Sequence, residues 1–315
     1  MPVLVPSAWP HALQLLFAFG LGGATVLAFA PFHFAWLALF TLALLLHLLW
    51  RTPGAGRAAA LGYAFGLGLM GFGVFWLRIS IAQFGGVTPV LAVAFTLLFV
   101  LLMALYFALL GWLVRRIASD QGAVGFMLLT VPAAWLLVEW LRGWLFTGFP
   151  WLSLGYSQID LPLAGFVPLL GVFGSGALLV LSAGLLNLWR RAWPLLLLLG
   201  MWGGGWYLQA LQWSEPDGEP LRVSLVQGNI PQEDKWKRAL LRPSIELYRL
   251  LSQQGRDAQL LIWPETAIPA FDRDVEQSVL QPLHAQMVAE GRDLLTGIVV
   301  GEAEGRYYNA MISLG

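Results

Sequence analysis

The run Ala258-Gln-Leu-Leu-Ile-Trp-Pro-Glu-Thr-Ala-Ile-Pro-Ala270 carries more structural information than any other stretch of the chain. Leu260, Leu261, Ile262 and Trp263 form a short apolar run, with polar residues before it and Pro264 after it. That is the pattern of a buried strand stopped by proline. Glu265 follows the stop. A carboxylate at the carboxyl end of a buried strand points into the crevice where open α/β sheets bind ligands. Pro264 and Pro269 stiffen the turn that carries it. The residues themselves allow two readings of Glu265, a held general base and a surface carboxylate at a strand end.

The flanking sequence extends the α/β pattern. Residues 215–220, Glu-Pro-Asp-Gly-Glu-Pro, read as a polar, turn-rich linker. Leu221–Gln227 alternates as a strand and ends at Gly228-Asn229, and residues 233–254 read as an amphipathic helix that Pro243 has the means to break. A helix near 274–290 and strands at Leu294–Val300 and Tyr307–Leu314 follow. Strands alternating with helices predict a layered α/β domain over 215–315.

The first 214 residues are of another kind. Over the whole chain of 315 residues, 58% are hydrophobic and 11% charged, where a soluble domain carries about 25% charged residues. Zero net charge hides a division. Residues 1–214 hold eight Arg, no Lys and three acids, a net +5, whereas residues 215–315 hold ten basic and fifteen acidic residues, a net −5. Seven apolar segments, at roughly 12–30, 33–50, 58–77, 88–113, 123–141, 162–189 and 193–211, match the ~20 residues a bilayer crossing needs. The sixth is long enough to tilt or to begin as an interfacial segment. Ala28-Phe29-Ala30 resembles a signal-peptidase site, but residues 1–11 lack Lys and Arg, so a retained span is expected. Glycines recur four apart at Gly62 and Gly66 and continue at Gly68, Gly71 and Gly73, with a second set at Gly171, Gly174 and Gly176. Such spacing lets helix backbones approach closely in lipid.

Arginine placement predicts orientation. Arg51, Arg57, Arg115, Arg116, Arg190 and Arg191 lie in alternate loops, and only Arg78 and Arg142 in the opposite ones. The positive-inside rule puts the amino terminus in the cytoplasm and, after seven crossings, residues beyond about 212 on the outer side, the periplasm of a bacterium with two membranes. The outer loop from Arg142 to Asp160 is aromatic and glycine-rich. Trp144, Phe149, Trp151 and Tyr156 suit the headgroup level, either as a plain aromatic belt or as a loop that helps a lipid reach a site above the membrane. Glu139 and Arg142, three apart at a helix end, are spaced to pair.

The absence of cysteine excludes disulfides, thiolate metal sites and a cysteine nucleophile within these residues. His11, His33, His47 and His284 show no ligand spacing, so neither metal nor cofactor is expected. No basic stripe with interleaved aromatics points to nucleic acid.

The order of motifs carries a resemblance. Gln227-Gly-Asn229 after a first strand and Pro264-Glu265 after a second resemble the nitrilase, or carbon–nitrogen hydrolase, superfamily. Behind seven spans, the stretches Gln227–Gln232, Lys235-Trp236, Trp263–Pro269, Gly148-Phe-Pro-Trp151, Gly155-Tyr-Ser-Gln158 and Tyr307-Tyr-Asn-Ala310 together look like the bacterial apolipoprotein N-acyltransferase family. The resemblance implies an α-β-β-α nitrilase-like domain behind a transmembrane domain in the inner membrane. It implies transfer of an acyl chain from a phospholipid, typically phosphatidylethanolamine, to the α-amino group of the diacylglyceryl-cysteine of an apolipoprotein. That chemistry uses a Glu-Lys-Cys triad: a base to deprotonate a thiol that is otherwise a weak nucleophile, a cation for the tetrahedral oxyanion, and a cysteine that carries a thioester. By position Glu265 matches the base, and Trp236 matches a tryptophan near the acyl donor, its other reading being ordinary packing at a helix start. Trp151 and Tyr156 are expected on the substrate side.

The only lysines are Lys235 and Lys237, outside the segment where the family carries its own. The resemblance therefore implies that the family's Lys and Cys lie beyond Gly315, and that the chain is the amino-terminal part of a longer enzyme and inactive alone. The alternatives are a non-catalytic lipid-binding protein or pseudoenzyme on the same scaffold and, more remotely, a transporter, which would need ionisable groups in mid-membrane.

Overall fold

In the computed structural model residues 9–118, 121–302 and 305–315 are described. The chain forms two compact units, Met1–Glu215 and Pro216–Gly315.

The first unit is helical: α1 (His11–Val26), α2 (Trp36–Arg51), α3 (Ala55–Gly73), α4 (Leu77–Phe84), α5 (Pro89–Ile117), α6 (Ala123–Gly125), α7 (Val131–Trp144), α8 (Val167–Asn187) and α9 (Ala192–Gln209). A π-helical stretch, Phe126–Thr130, joins α6 to α7. Apolar chain in lipid has no water for its amide groups, so the helix, which pairs them internally, is the form these segments take. Among the described residues three stretches are long and apolar enough to cross a bilayer: Pro89–Ile117, Ala123–Thr147 and Pro162–Asn187. The bent pair α3–α4, at 55°, makes a fourth. Helices α1 and α2, at 16 residues each, are roughly 24 Å long, short of the ~30 Å hydrocarbon core. The first apolar segment is shorter as a helix than as a sequence because α1 ends at Val26 and turns occupy the residues before α2. The sixth begins as a 3-10 turn, Pro162–Phe166, and α8 is interrupted at Gly171 (φ 66°, ψ −174°).

Helix α3 packs between α1 and α5, and its glycines set the spacing. A Cβ on Gly62 would lie 2.0 Å from the Phe107 carbonyl oxygen, and one on Gly68 2.0 Å from that of Phe19. Close backbone approach through small residues is what holds helices together where the solvent is as apolar as Leu. Around this seam Phe65, Phe107 and Trp135 are buried and meet edge to face.

The second unit is a five-stranded sheet with helices on one face. Its elements are β1 (Val223–Leu225), α10 (Arg238–Ser252), β2 (Leu260–Ile262), β3 (Ile268–Phe271), α11 (Asp272–Val275), α12 (Gln281–Glu290), β4 (Asp293–Gly301) and β5 (Tyr307–Leu314). Helix α10 starts later than its apolar pattern, at Arg238, and runs through Pro243 without a break. Strands β1, β2 and β4 are parallel neighbours, and β5 runs antiparallel along β4 from Leu294↔Leu314 to Gly301↔Tyr307. Strand β3, which the sequence pattern does not distinguish from the turn, also pairs with β4. With β5 on one edge of β4, β2 and β3 share the other. They are two ends of one interrupted strand.

Alternation then assigns the faces. Leu261, Leu294 and Ile298 are buried with Ile245, Tyr248, Leu283 and Met287 of α10 and α12. The opposite face carries Leu225, Gly297, Val299, Tyr307, Asn309 and Met311, of which Leu225, Tyr307 and Met311 are well exposed.

Candidate active site

The interruption between β2 and β3 is where Glu265 sits. Trp263 N–H donates to the Leu295 carbonyl at 2.9 Å, the bond to β4 that precedes Pro264 and the break in the ladder; pairing with β4 resumes at Ile268. The chain then lifts over β4. The six steps from Ile262 to Ile268 span what β4 covers in three, from Leu295 to Ile298. Ala267 N–H closes the turn on the Pro264 carbonyl at 3.1 Å. Thr266 takes a left-handed conformation, φ 49°, which costs a β-branched residue about 1–3 kcal/mol and persists only where its surroundings hold it. Beneath the turn is Gly297, where a Cβ would lie 2.3 Å from Thr266 N and 2.8 Å from Glu265 Cα. Only a residue without a side chain lets the turn rest on the strand.

Three side chains hold this turn. Asn309 Nδ2 donates to Glu265 Oε1 at 2.5 Å, and Thr266 Oγ1 donates to Asn309 Oδ1 at 3.3 Å. Lys235 Nζ donates to the Glu265 carbonyl oxygen at 2.8 Å. The Glu265 side chain is exposed, so its second oxygen is open to a reacting group. From below, Trp263 is buried, stacks on Tyr248 at 5.2 Å and donates through Nε1 to Ser252 Oγ at 2.9 Å. Burial pushes the Tyr248 phenol up in pKa, so the ring under the site stays neutral.

Trp236 follows the lysine that holds Glu265 and is 57% exposed, so its ring is not committed to packing at the start of α10. It lines an open pocket of about 680 Å³ with Arg238, Pro269, Phe271, Asp274 and Tyr307. Gln227 and Asn229 lie after β1, joined by a 2.7 Å hydrogen bond from Nε2 to Oδ1, and Gly228 between them lies against the Tyr248 ring. Lys235 and Asn309 are the residues whose roles the motifs left unread. Asn309 sits within an edge strand of β-formers, a position where Asn is depleted.

Trp151 and Tyr156 belong to the helical unit and are about half exposed. Trp151 stacks on Phe149 at 5.8 Å and lies 5.4 Å from Trp76; Tyr156 is on the 3-10 stretch Leu154–Gln158. What shapes this loop is the buried pair behind it. Glu139 and Arg142 are 2% and 1% exposed. They stand 4.0 Å apart, but their stronger bonds go elsewhere. Arg142 donates to the carbonyls of Phe149 (2.8 Å) and Trp151 (2.5 Å) and to Ser153 Oγ (3.2 Å). Glu139 Oε1 accepts from Leu154 N–H at 2.9 Å. Phe146, Thr147 and Leu152 all have positive φ in this loop. Among the described residues no group of three or more His, Cys, Asp or Glu is arranged to hold a metal.

A sequence model of the apolipoprotein N-acyltransferase N-terminal domain matches residues 21–185, just over half of the chain. The chain belongs to the apolipoprotein N-acyltransferase family. The enzyme of that name from Methylococcus capsulatus is 44% identical over 295 residues, 91% of this chain and 58% of the relative. That of Nitrosomonas europaea is 43% identical over 313 residues, 96% of this chain and 61% of the relative. That of Vibrio cholerae is 40% identical over 301 residues, 93% and 58%. The chain thus spans about three fifths of the length of the curated relatives it matches.

Proposed function

We propose that the full-length protein is an apolipoprotein N-acyltransferase, with Glu265 as its general base. The observation that carries the proposal is an exposed carboxylate on a strained turn that three side chains hold in place, in a chain of this family. In the first half-reaction Glu265 takes the proton of a cysteine thiol. The thiolate attacks the ester carbonyl of a phospholipid, phosphatidylethanolamine by the family's chemistry. A lysine stabilises the oxyanion. Collapse expels the lysophospholipid alkoxide, which takes the proton, and leaves a thioester. In the second, the α-amino group of a diacylglyceryl-cysteine attacks the thioester, gives its proton to the base and releases the thiolate as the amide forms. The cysteine and the family's lysine would come from outside these 315 residues, so the chain alone would form no thioester. Family membership does not favour a non-catalytic lipid-binding role. Trp236 would meet the acyl donor, and Trp151 and Tyr156 its path from the membrane.

The same proposal takes the helical unit as a seven-crossing domain of the inner membrane, and the second unit as part of a nitrilase-like α-β-β-α domain in the periplasm. The arginines at 51, 57, 115, 116, 190 and 191 in alternate loops support that orientation.

Two experiments test it. Glu265→Gln in the full-length protein keeps size and shape and should lower kcat about 10²–10⁴-fold with unchanged abundance in the membrane; near-normal transfer would return Glu265 to a surface carboxylate. For orientation, Gln253 is an exposed reporter, since Ser252 beside it is buried and hydrogen-bonded. Gln253→Cys, in a background without other cysteines, should react with an impermeant thiol reagent from outside the inner membrane. Labelling only after lysis would reverse the topology.

A further inference from the structure

We infer that Asn309 is a positioning residue for Glu265, and that Thr266 sets the direction in which its amide points; the inference rests on the reading of Glu265 as the base. The β4–β5 register puts Asn309 opposite Val299, on the face that carries Gly297 and, above it, the Glu265 turn. Asn309 therefore reaches Glu265 from the neighbouring strand, 44 residues away in sequence. The chemistry of the groups orders the contacts. A carboxylate accepts and does not donate, so the NH₂ of Asn309 must face Glu265, which leaves its carbonyl oxygen to accept from Thr266 Oγ1. The Thr266 hydroxyl thus prevents the amide from turning over. The left-handed backbone of Thr266 is what brings the hydroxyl and the Glu265 carboxylate to the same amide, which gives the strained conformation a use.

The consequence is geometric. With one oxygen tied to Asn309, the other is presented in a single direction toward a thiol or amine. Without the tie, an exposed glutamate on a turn samples several rotamers, and only a fraction of them hold the base in line. At metal centres the loss of a partner that orients a ligand costs about 10–100-fold, and a partner that orients a carboxylate base by the same kind of hydrogen bond is expected to matter on that scale. The effect belongs in kcat, since Asn309 does not line the pocket bordered by Trp236.

The test uses full-length enzyme variants and follows acyl transfer from phosphatidylethanolamine to a diacylglyceryl-peptide. Asn309→Ala should lower kcat about 10–100-fold, with the KM for phospholipid within about twofold. Asn309→Asp has nearly the shape of asparagine but replaces the donor with an acceptor facing a carboxylate. It should be at least as impaired as Asn309→Ala, an order that a merely structural role would reverse. Thr266→Val should lose less than either and keep the same KM. The double variant Glu265→Gln/Asn309→Asp should be no slower than Glu265→Gln alone, because Asn309 acts through the group already removed. A Glu265→Gln slowed as expected together with an Asn309→Asp milder than Asn309→Ala, or with fully additive losses in the double variant, overturns the positioning role and leaves the base standing. A fully active Glu265→Gln overturns the base, and the positioning role with it.

Discussion

Two carboxylates, one in each unit, are bonded through a single oxygen and yet are built for opposite ends. Glu139 is buried, faces Arg142, and accepts from a backbone N–H of the loop it supports. Glu265 is exposed, on a strained turn, with one amide at one oxygen and, among the described residues, no hydrogen-bond partner at the other. The first arrangement spends its electrostatics on holding chain: Arg142 gathers the carbonyls of Phe149 and Trp151, so that the aromatic loop 144–156 has a fixed floor. The second leaves charge available to an incoming group. Burial beside a counter-charge suits Glu139 to holding the loop, whereas exposure on a held turn is what the proposed role of Glu265 as a base requires.

The difference can be broken from either side. The largest stability effect should come from Arg142→Met, which leaves Glu139 buried without its counter-charge. Breaking one side of a buried pair costs about 3–5 kcal/mol. Thermal unfolding in detergent should show the loss, and Glu139→Gln added to it should recover part of it, since an amide oxygen still accepts from Leu154 N–H. A melt unchanged by Arg142→Met would remove the scaffold role. Glu265→Gln, in contrast, should leave the melt where it is.

Gly297→Ala sharpens the comparison at the other carboxylate. The added methyl meets backbone, not a flexible side chain, so the turn must lift. About 1–3 kcal/mol of stability should go, the usual cost of overpacking, and kcat should fall with it because the lifted residue carries the proposed base. Stability lost with kcat intact would show that the height of the turn over β4 does not matter. The smallest effect should come from Phe146→Ser. Phe146 is 87% exposed, so the melt should move by no more than about 0.5 kcal/mol. A larger shift would mean that the loop is held at its tip as well as by Arg142.

Much of this molecule is legible from sequence because the relevant physics is local. Runs of about 20 apolar residues become helices where backbone groups have no water. The glycine spacing in α3 reports close helix contact, as the Gly62 and Gly68 approaches show. The apolar run at 260–263, stopped by Pro264, marks both the strand and the turn that holds Glu265. The tertiary structure decided what depends on residues far apart in the chain. Ile268–Phe271 is a strand only because β4 has a free edge beside it; a four-residue segment with a proline has no period of its own to announce that. Lys235 and Asn309 reach Glu265 across 30 and 44 residues. Arg142 looked like the partner of Glu139 by helical spacing, yet its stronger bonds go to carbonyls in a loop whose path no periodicity encodes. Periodicity is set by neighbours within a turn or two of chain, so it reveals elements and faces. Hydrogen bonds at a site are set by where the elements meet, which is a property of the assembled fold.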